Sequence, residues 1–482
     1  MTGAGGGGGF IDAVTLPATA TYLILFDPQG AFTGAGTVNL YSVTDLTASP
    51  GSGTGYAATF GTPGQNLRLS YSGTAGERIS VNVTSVSLSG GIGSTSYAVT
   101  VLNPDGSQLS TTPFSAAGFV DAVTLPTTGT YIVLVDPANS TVGSLTATSY
   151  LFNDVTGSIT PGGSAVSFST STPGQNGRYT FSGTAGDHVS LTTSSSPDLS
   201  QTFSILNPDG STLVSQFSNF GNAFIGTQSL ATTGTYTVMI DPTTAATGGS
   251  TLTLYSVVNI TGSITADGTP VTPSITTPGQ TATYTFSGTA GQKVSLNITG
   301  STIAGQPVVS IKNPNGSTLW SGLVNSSLFM DSTALGTTGT YSVTVVPQGT
   351  NTGSMTLKLY TVVDGSGTIA PGGSAVMVTT STPGQNYRLT FSGTATQKVS
   401  LALSSITLSN YAVSLLRPDG TTQASVNCCL VFIVLPRRGN RHSLRGSTDR
   451  DGPGHVRRVV HLQRHVARRG AHRVDQHRIG PR

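Results

Sequence analysis

The string Thr-Pro-Gly-Gln occurs four times in this chain of 482 residues, with its proline at 63, 173, 278 and 383, so that neighbouring copies lie 110, 105 and 105 residues apart. Other blocks keep step with it. Ser-Gly-Thr-Ala follows at Ser72–Ala75, Ser182–Ala185, Ser287–Ala290 and Ser392–Ala395. Turn sequences come next at 103–106, 207–210, 313–316 and 417–420, each with proline second and glycine last. A Leu-x-x-x-Gly-Thr-Tyr block closes the set at Leu125 to Tyr131, Leu230 to Tyr236 and Leu335 to Tyr341; the copy from Leu16 to Tyr22 has Ala20 in place of the glycine. This period exceeds solenoid repeats of roughly 20–50 residues and matches one β-sandwich of about 100 residues. The motif order gives full units at 46–154, 155–259 and 260–364, a partial unit at 1–45 and another at 365–434, with short linkers near Asp154, Asn259 and Asp364.

Within a unit the apolar period is two, which marks half-buried strands. Leu69 and Tyr71, Tyr179 and Phe181, Tyr284 and Phe286, and Leu389 and Phe391 alternate with polar neighbours. Ile79 and Val81 do the same, as do Val189 and Leu191, Val294 and Leu296, and Val399 and Leu401. The stretch after Gly-Thr is apolar on both faces, Tyr131, Val133 and Val135 on one and Ile132 and Leu134 on the other, so it is expected to be a central strand. No segment has helical spacing. The predicted fold is all-β: tandem antiparallel β-sandwich domains, seven or eight strands each, strung like beads. The tyrosine after Gly-Thr fits either a tyrosine corner, its hydroxyl bonding back to upstream backbone, or plain packing.

Charge is unevenly spread. Of 22 Lys and Arg, 13 follow residue 434, against only 3 of 19 Asp and Glu, so the body is mildly acidic and the tail basic. An acidic body has no electrostatic footprint for nucleic acid. The two cysteines, Cys428 and Cys429, are adjacent, which leaves no disulfide framework upstream of them. No signal peptide is read at Met1, no apolar run reaches membrane-spanning length, and the true ends of the protein are expected to lie beyond this sequence.

Ser287 through Leu296, then Ile311-Lys-Asn-Pro-Asn-Gly316, then Thr338-Gly-Thr-Tyr-Ser-Val343 resemble bacterial pre-peptidase C-terminal modules. The longer pattern with Thr-Pro-Gly-Gln-Asn is similar to repeat arrays in very large bacterial surface proteins, including those with RHS or YD repeats. The resemblance covers nearly all of 1–434 and rests on turns and core positions. It implies small β-sandwiches, an extracellular or cell-surface location, and service as appendages of larger exported proteins.

Chemistry is sparse. One histidine, His188, lies within residues 1–434, where other units carry Arg78, Lys293 and Lys398, and a surface role is the favoured reading. No nucleophile elbow, zinc-binding His-Glu-x-x-His pair or phosphate loop is present, so no catalytic or cofactor-binding residue is predicted. Asp27, Asp136 and Asp241 precede prolines at one recurring strand end, Val346 breaking the set, and Asp12, Asp121 and Asp331 recur upstream. A calcium site from these is the minor reading, because calcium takes six to eight oxygens; turn capping is the major one. Trp320 and Phe217 stand near the hairpin turns, as ligand-stacking tips or as ordinary packing. The expected function is a non-catalytic stalk or spacer of a secreted or surface protein, its partners the neighbouring repeats. Modules adhering to surface carbohydrate or protein, or serving a secreted peptidase, are the alternatives.

Residues 435–482 hold 13 Arg, no Lys and 6 of the 7 His, with no strand period. They read as the repeat translated in a shifted frame. One nucleotide downstream, the codons of Pro436 through Ser447 permit Pro-Ala-Ala-Gly-Thr-x-Thr-Val-Phe-Val-Asp-Pro, against Pro126–Pro137. Those of Val459 through Arg464 permit Ser-Tyr-Thr-Phe-Asn-Asp, against Ser149–Asp154. Both matches fall at an offset of 310 residues. The shift is placed between Asn427 and Pro436, and the tail is expected to be disordered.

Overall fold

The computed structural model describes residues 9–90, 96–196, 199–219 and 221–429, and among these every regular element is a strand. The Arg-rich stretch at 435–482, with its expected disorder, lies outside the described residues. Contacts divide the chain into one compact unit at Met1–Thr394 and a second at Ala395–Arg482.

The first complete repeat shows the plan. Its strands are β1 (Leu46–Ala48), β2 (Gly55–Phe60), β3 (Leu67–Gly73), β4 (Arg78–Ser89), β5 (Tyr97–Leu102), β6 (Gln108–Phe114), β7 (Gly118–Thr124), β8 (Gly129–Pro137) and β9 (Val142–Phe152). They form a five-stranded sheet in the order β1-β3-β8-β5-β6 and a four-stranded sheet in the order β2-β9-β4-β7. The same orders recur over Val155–Ser256 and Ile260–Val362. The doubly apolar strand predicted to be central is β8, third of five, with one face buried and the other half-buried. Alternation sends Leu67, Leu69, Val133 and Val135 from one sheet against Phe60, Ile79, Val81 and Leu145 from the other, all at 1% exposure or less. At about 1.5–3 kcal/mol for each such side chain, this burial is the main stabilising force.

The prediction of tandem antiparallel β-sandwich domains on a string is corrected here. Each five-stranded sheet is mixed, because the edge strand β1 runs parallel to β3, as Val155–Ser158 does to Gly177–Gly183 and Ile260–Ser263 to Ala282–Gly288. These edge strands of three or four residues are too short to show a period, and they raise the strand count above the predicted one. Only Asn153 and Asp154 separate β9 from the first strand of the next repeat. The repeats therefore stack directly, solenoid-like, within one compact unit rather than standing as separate sandwich domains. Sequence period reports the length of a coil but carries no information on whether successive coils touch.

Turn and corner chemistry follows the sequence. Gly106, at φ 86°, closes the 103–106 turn by donating its N–H to the Asn103 carbonyl at 2.9 Å. The hydroxyls of Tyr131, Tyr236 and Tyr341 donate to the carbonyls of Thr127, Thr232 and Thr337 at 2.6, 2.7 and 2.7 Å, which makes each a tyrosine corner. Tyr22 makes the same bond to Ala18 at 2.7 Å, although residues 9–45 contain no strand.

At the other end, Gly365–Thr368 runs parallel to Tyr387–Thr390 in a two-stranded sheet. The second unit holds the antiparallel hairpin Asn410–Leu416 with Thr422–Cys429. Val399, Leu401 and Leu403 are 41–59% exposed there, whereas their counterparts Ile79, Val81 and Val83 are fully buried.

Candidate functional site

The feature built identically in successive repeats is the joint between them. Thr-Pro-Gly-Gln is a turn with proline second and glycine third. Gly174, Gly279 and Gly384 have φ of 78°, 86° and 83°, and the following glutamine N–H donates to the threonine carbonyl at 3.0–3.1 Å. The turn rests on the preceding repeat. Ser80 Oγ donates to the Pro173 carbonyl at 2.7 Å, Ser190 to Pro278 at 2.6 Å, and Ser295 to Pro383 at 2.6 Å.

A β-bulge in the neighbouring strand lies opposite each of these serines. The register between β4 and β7 shifts between Ile79 and Val81, opposite Asp121 and Ala122, and the same shift recurs between Val189 and Leu191 and between Val294 and Leu296. Ser80, Ser190 and Ser295 are the residues inside each shift, and all three are fully buried. Alternation with the core-facing residues on either side turns each serine to the opposite face of its sheet, where its hydroxyl meets the next repeat. A β-carbon on Gly279 would stand 2.5 Å from Thr227 Oγ1, and one on Gly174 would stand 3.0 Å from Phe119. Both glycines have left-handed φ, and a side chain at Gly279 would force Thr227 to shift.

A second set of bonds pins the connection. Gln175 donates to the Asn153 carbonyl at 2.8 Å, Gln280 to Val258 at 2.6 Å, and Gln385 to Val363 at 2.7 Å. The N–H groups of Thr281 and Asn386 donate to the side chains of Asn259 and Asp364 at 3.0 and 3.2 Å. Asp154 Oδ2 accepts from Arg178 at 2.8 Å and Arg78 at 3.3 Å, and Lys293 pairs with Asp364 at 2.7 Å. Asp154, Asn259 and Asp364, in the short connections between repeats, are thus anchored at the joint.

Of the carboxylates proposed for calcium, Asp241 falls beside the first of these joints. Burial, then Asp121 and Asp154, push Asp241 up to about 6, while Arg78 and Asn176 act the other way. The side-chain amide of Asn176 is buried beside Asp241 and favours its charged form. Asp136 is raised by burial and by Asp12 and Asp45, and Asp121 by burial. Asp27 lies in the exposed strand-free segment. Asp241 and Asp136 lie in separate neighbourhoods, the first beside Asp121 and Asp154 and the second beside Asp12 and Asp45, and among the described residues no three His, Cys, Asp or Glu are placed to hold a metal.

The remaining sequence candidates separate. His188 opens a strand, and its carbonyl accepts from Val257 N at 2.8 Å. Trp320 packs against its repeat's core, whereas Phe217 is 54% exposed. Sequence reasoning passed over Ser80, Ser190 and Ser295 as generic strand residues. One signal was available: a serine held between two apolar residues at constant spacing. Another was the joint exchange of Arg78 and Asp154 for His188 and Asn259, then for Lys293 and Asp364.

No family model matches this chain, and no curated protein does. Among solved structures, it is similar to the PliG periplasmic inhibitor of g-type lysozyme from Aeromonas hydrophila, at 14% identity over 23% of this chain and 96% of that one, with a TM-score of 0.17. It is also similar to the CUB1-EGF-CUB2 domains of rat MASP-1, at 7% identity over 42% of this chain and 99% of that one, TM-score 0.13. Tripeptidyl peptidase 2 covers 65% of this chain with 32% of its own length, at 7% identity and a TM-score of 0.15. Likenesses this low carry no argument.

Proposed function

We propose that this chain is a non-catalytic spacer region of a large secreted or cell-surface bacterial protein, its repeats stacking to hold other domains at a distance. The observation that supports this reading is the joint. One serine-to-proline bond of 2.6–2.7 Å, set opposite one bulge, recurs at three consecutive joints. A surface committed to the next copy in line serves to propagate an array. Such arrays gain stability from each neighbour interface as well as from each repeat.

Small-angle X-ray scattering of the full chain, compared with chains in which 155–259 is deleted or duplicated, tests the spacer reading. The largest dimension is expected to change by an equal step in each direction. A dimension that stays constant, or saturable binding of a glycan or protein by the full chain that is lost on Phe217→Ala, would replace the spacer with an adhesion module.

A further inference from the structure

We propose that the joint between the first and second complete repeats is an acid-closed latch, in which protonated Asp241 donates a hydrogen bond to Asn176 and the joint loosens when that proton leaves. This goes beyond the spacer reading and does not depend on it. Asn176 follows the Thr-Pro-Gly-Gln turn that rests on the first complete repeat, and Asp241 lies beside it near the end of the strand Gly234–Pro242. Asn176 is fully buried, and its Oδ1 and the Oδ1 of Asp241 are both closed off from solvent with no donor. A carboxylate oxygen and an amide oxygen can only accept, and buried acceptors are ordinarily paired. The amide hydrogens of Asn176 favour the charged carboxylate, yet they do nothing for the amide's own oxygen. A proton on Asp241 turns one acceptor into a donor and satisfies both.

Charge across the joint acts in the same direction. Asp241 faces Asp121 of the first repeat, Asp154 of the connection and the guanidinium of Arg78. Arg78 and Arg178 are both committed to Asp154 Oδ2, and Arg78 also donates to the Ala122 carbonyl. With the proton on Asp241, two carboxylates face two guanidiniums; without it, three do, and the added charge repels Asp121 across the joint. Burial first, then Asp121 and Asp154, hold the Asp241 carboxyl up to about 6. The latch is therefore closed at and below the ordinary carboxylate value of about 4 and is released as pH rises through about 6.

The pair comes and goes as a unit. Asn66 and Asp136 stand in the same places in the first repeat, and their Oδ1 atoms are likewise buried without a donor. After burial, Asp12 and Asp45 raise Asp136 as Asp121 and Asp154 raise Asp241. At the second joint Thr281 replaces Asn176, Val346 replaces Asp241, Gly226 replaces Asp121 and Asn259 replaces Asp154. Joint loss of the amide, its carboxyl partner and both neighbouring acids marks the four as parts of one device.

Hydrogen exchange of the full chain at pH 4 and pH 7, corrected for the intrinsic pH dependence of exchange, tests this at the turn amides. Protection of Gln175 is expected to be about fivefold greater at pH 4 than at pH 7, discounted for the partial exposure of Asp241; that of Gln280 should be equal at the two. Asp241→Asn should hold Gln175 at its acid level at both pH values, because an amide N–H then replaces the carboxyl as donor. Asp241→Leu should also abolish the pH dependence but leave protection below that of Asp241→Asn, since Asn176 Oδ1 is again unpaired. Asn176→Thr with Asp241→Val, the residues of the second joint, should remove the dependence and carries the test if either single variant misfolds. Equal pH dependence at Gln175 and Gln280 overturns the proposal. So does a dependence that survives in Asp241→Asn or in the double variant, or equal protection in Asp241→Asn and Asp241→Leu.

Discussion

The joint between the first and second complete repeats is charged, and the next joint is neutral. At the first, Arg78 and Arg178 share Asp154, with Asp121 and Asp241 close by. At the second, His188, Thr283, Asn259, Gly226 and Val346 occupy the matching positions, and Thr227 adds a hydroxyl bond to the Gly279 carbonyl at 2.6 Å. The serine-to-proline bond is the same in both. What the two joints share is therefore geometry: a bulge, a buried hydroxyl and a glycine turn. Charge is an interchangeable addition, consistent with the small net worth of ion pairs once desolvation is counted.

The largest expected effect tests that division. Arg78→Ala should destabilise the first joint by about 2–3 kcal/mol, because Asp154 and Asp241 lose a buried counter-charge. His188→Ala at the second should cost below about 1 kcal/mol. Hydrogen exchange at the turn amides, Gln175 for one joint and Gln280 for the other, reads each separately; equal losses would show that charge is not an addition at all. Gly279→Ala comes next, at about 2 kcal/mol, since its left-handed φ penalises a side chain and Thr227 occupies the space. Gln280 protection should fall while Gln175 is unchanged.

Ser190→Ala should cost about 1–2 kcal/mol by leaving the Pro278 carbonyl unpaired, and Ser80→Ala a similar amount. A large gap between them would mean that charge and hydroxyl are coupled. The smallest effect has the opposite sign. Asp241 binds its proton more readily folded than unfolded, so it favours folding most at low pH. Stability is then lost as pH rises from the ordinary carboxylate value of about 4 through about 6. Asp241→Asn should remove that dependence and stabilise the chain at neutral pH by about 1 kcal/mol, discounted for partial exposure. Denaturant melts at pH 4 and pH 7 check it; an unaltered difference would place the titration on Asp121 or Asp136.

Much of the repeat was legible from periodicity. The strands around Leu69, Ile79 and Tyr131 follow from alternation and the turn at Gly106 from proline and glycine placement, while the corner at Tyr131 was one of two readings that the structure decided between. The edge strand Leu46–Ala48 was not legible, because three residues show no period and its pairing is decided by where the chain crosses between sheets. The joint was half legible. Thr-Pro-Gly-Gln announced a turn, but nothing local says that a turn presses on a serine some 90 residues away in sequence.

The sequence alone determined that the chain is all-β, that its unit is near 105 residues, and which face of each strand is apolar, since these depend on side-chain order within a few residues. The tertiary structure decided that the repeats bear on one another, that the short connections at Asp154, Asn259 and Asp364 are pinned by hydrogen bonds and ion pairs, and that Tyr22 and Ile24 are exposed where Tyr131 and Val133 are buried. The physical reason is that burial and charge environment belong to pairs of surfaces. The same alternating strand is core when its partner strand is present and open edge when it is not, and no residue's own identity records which.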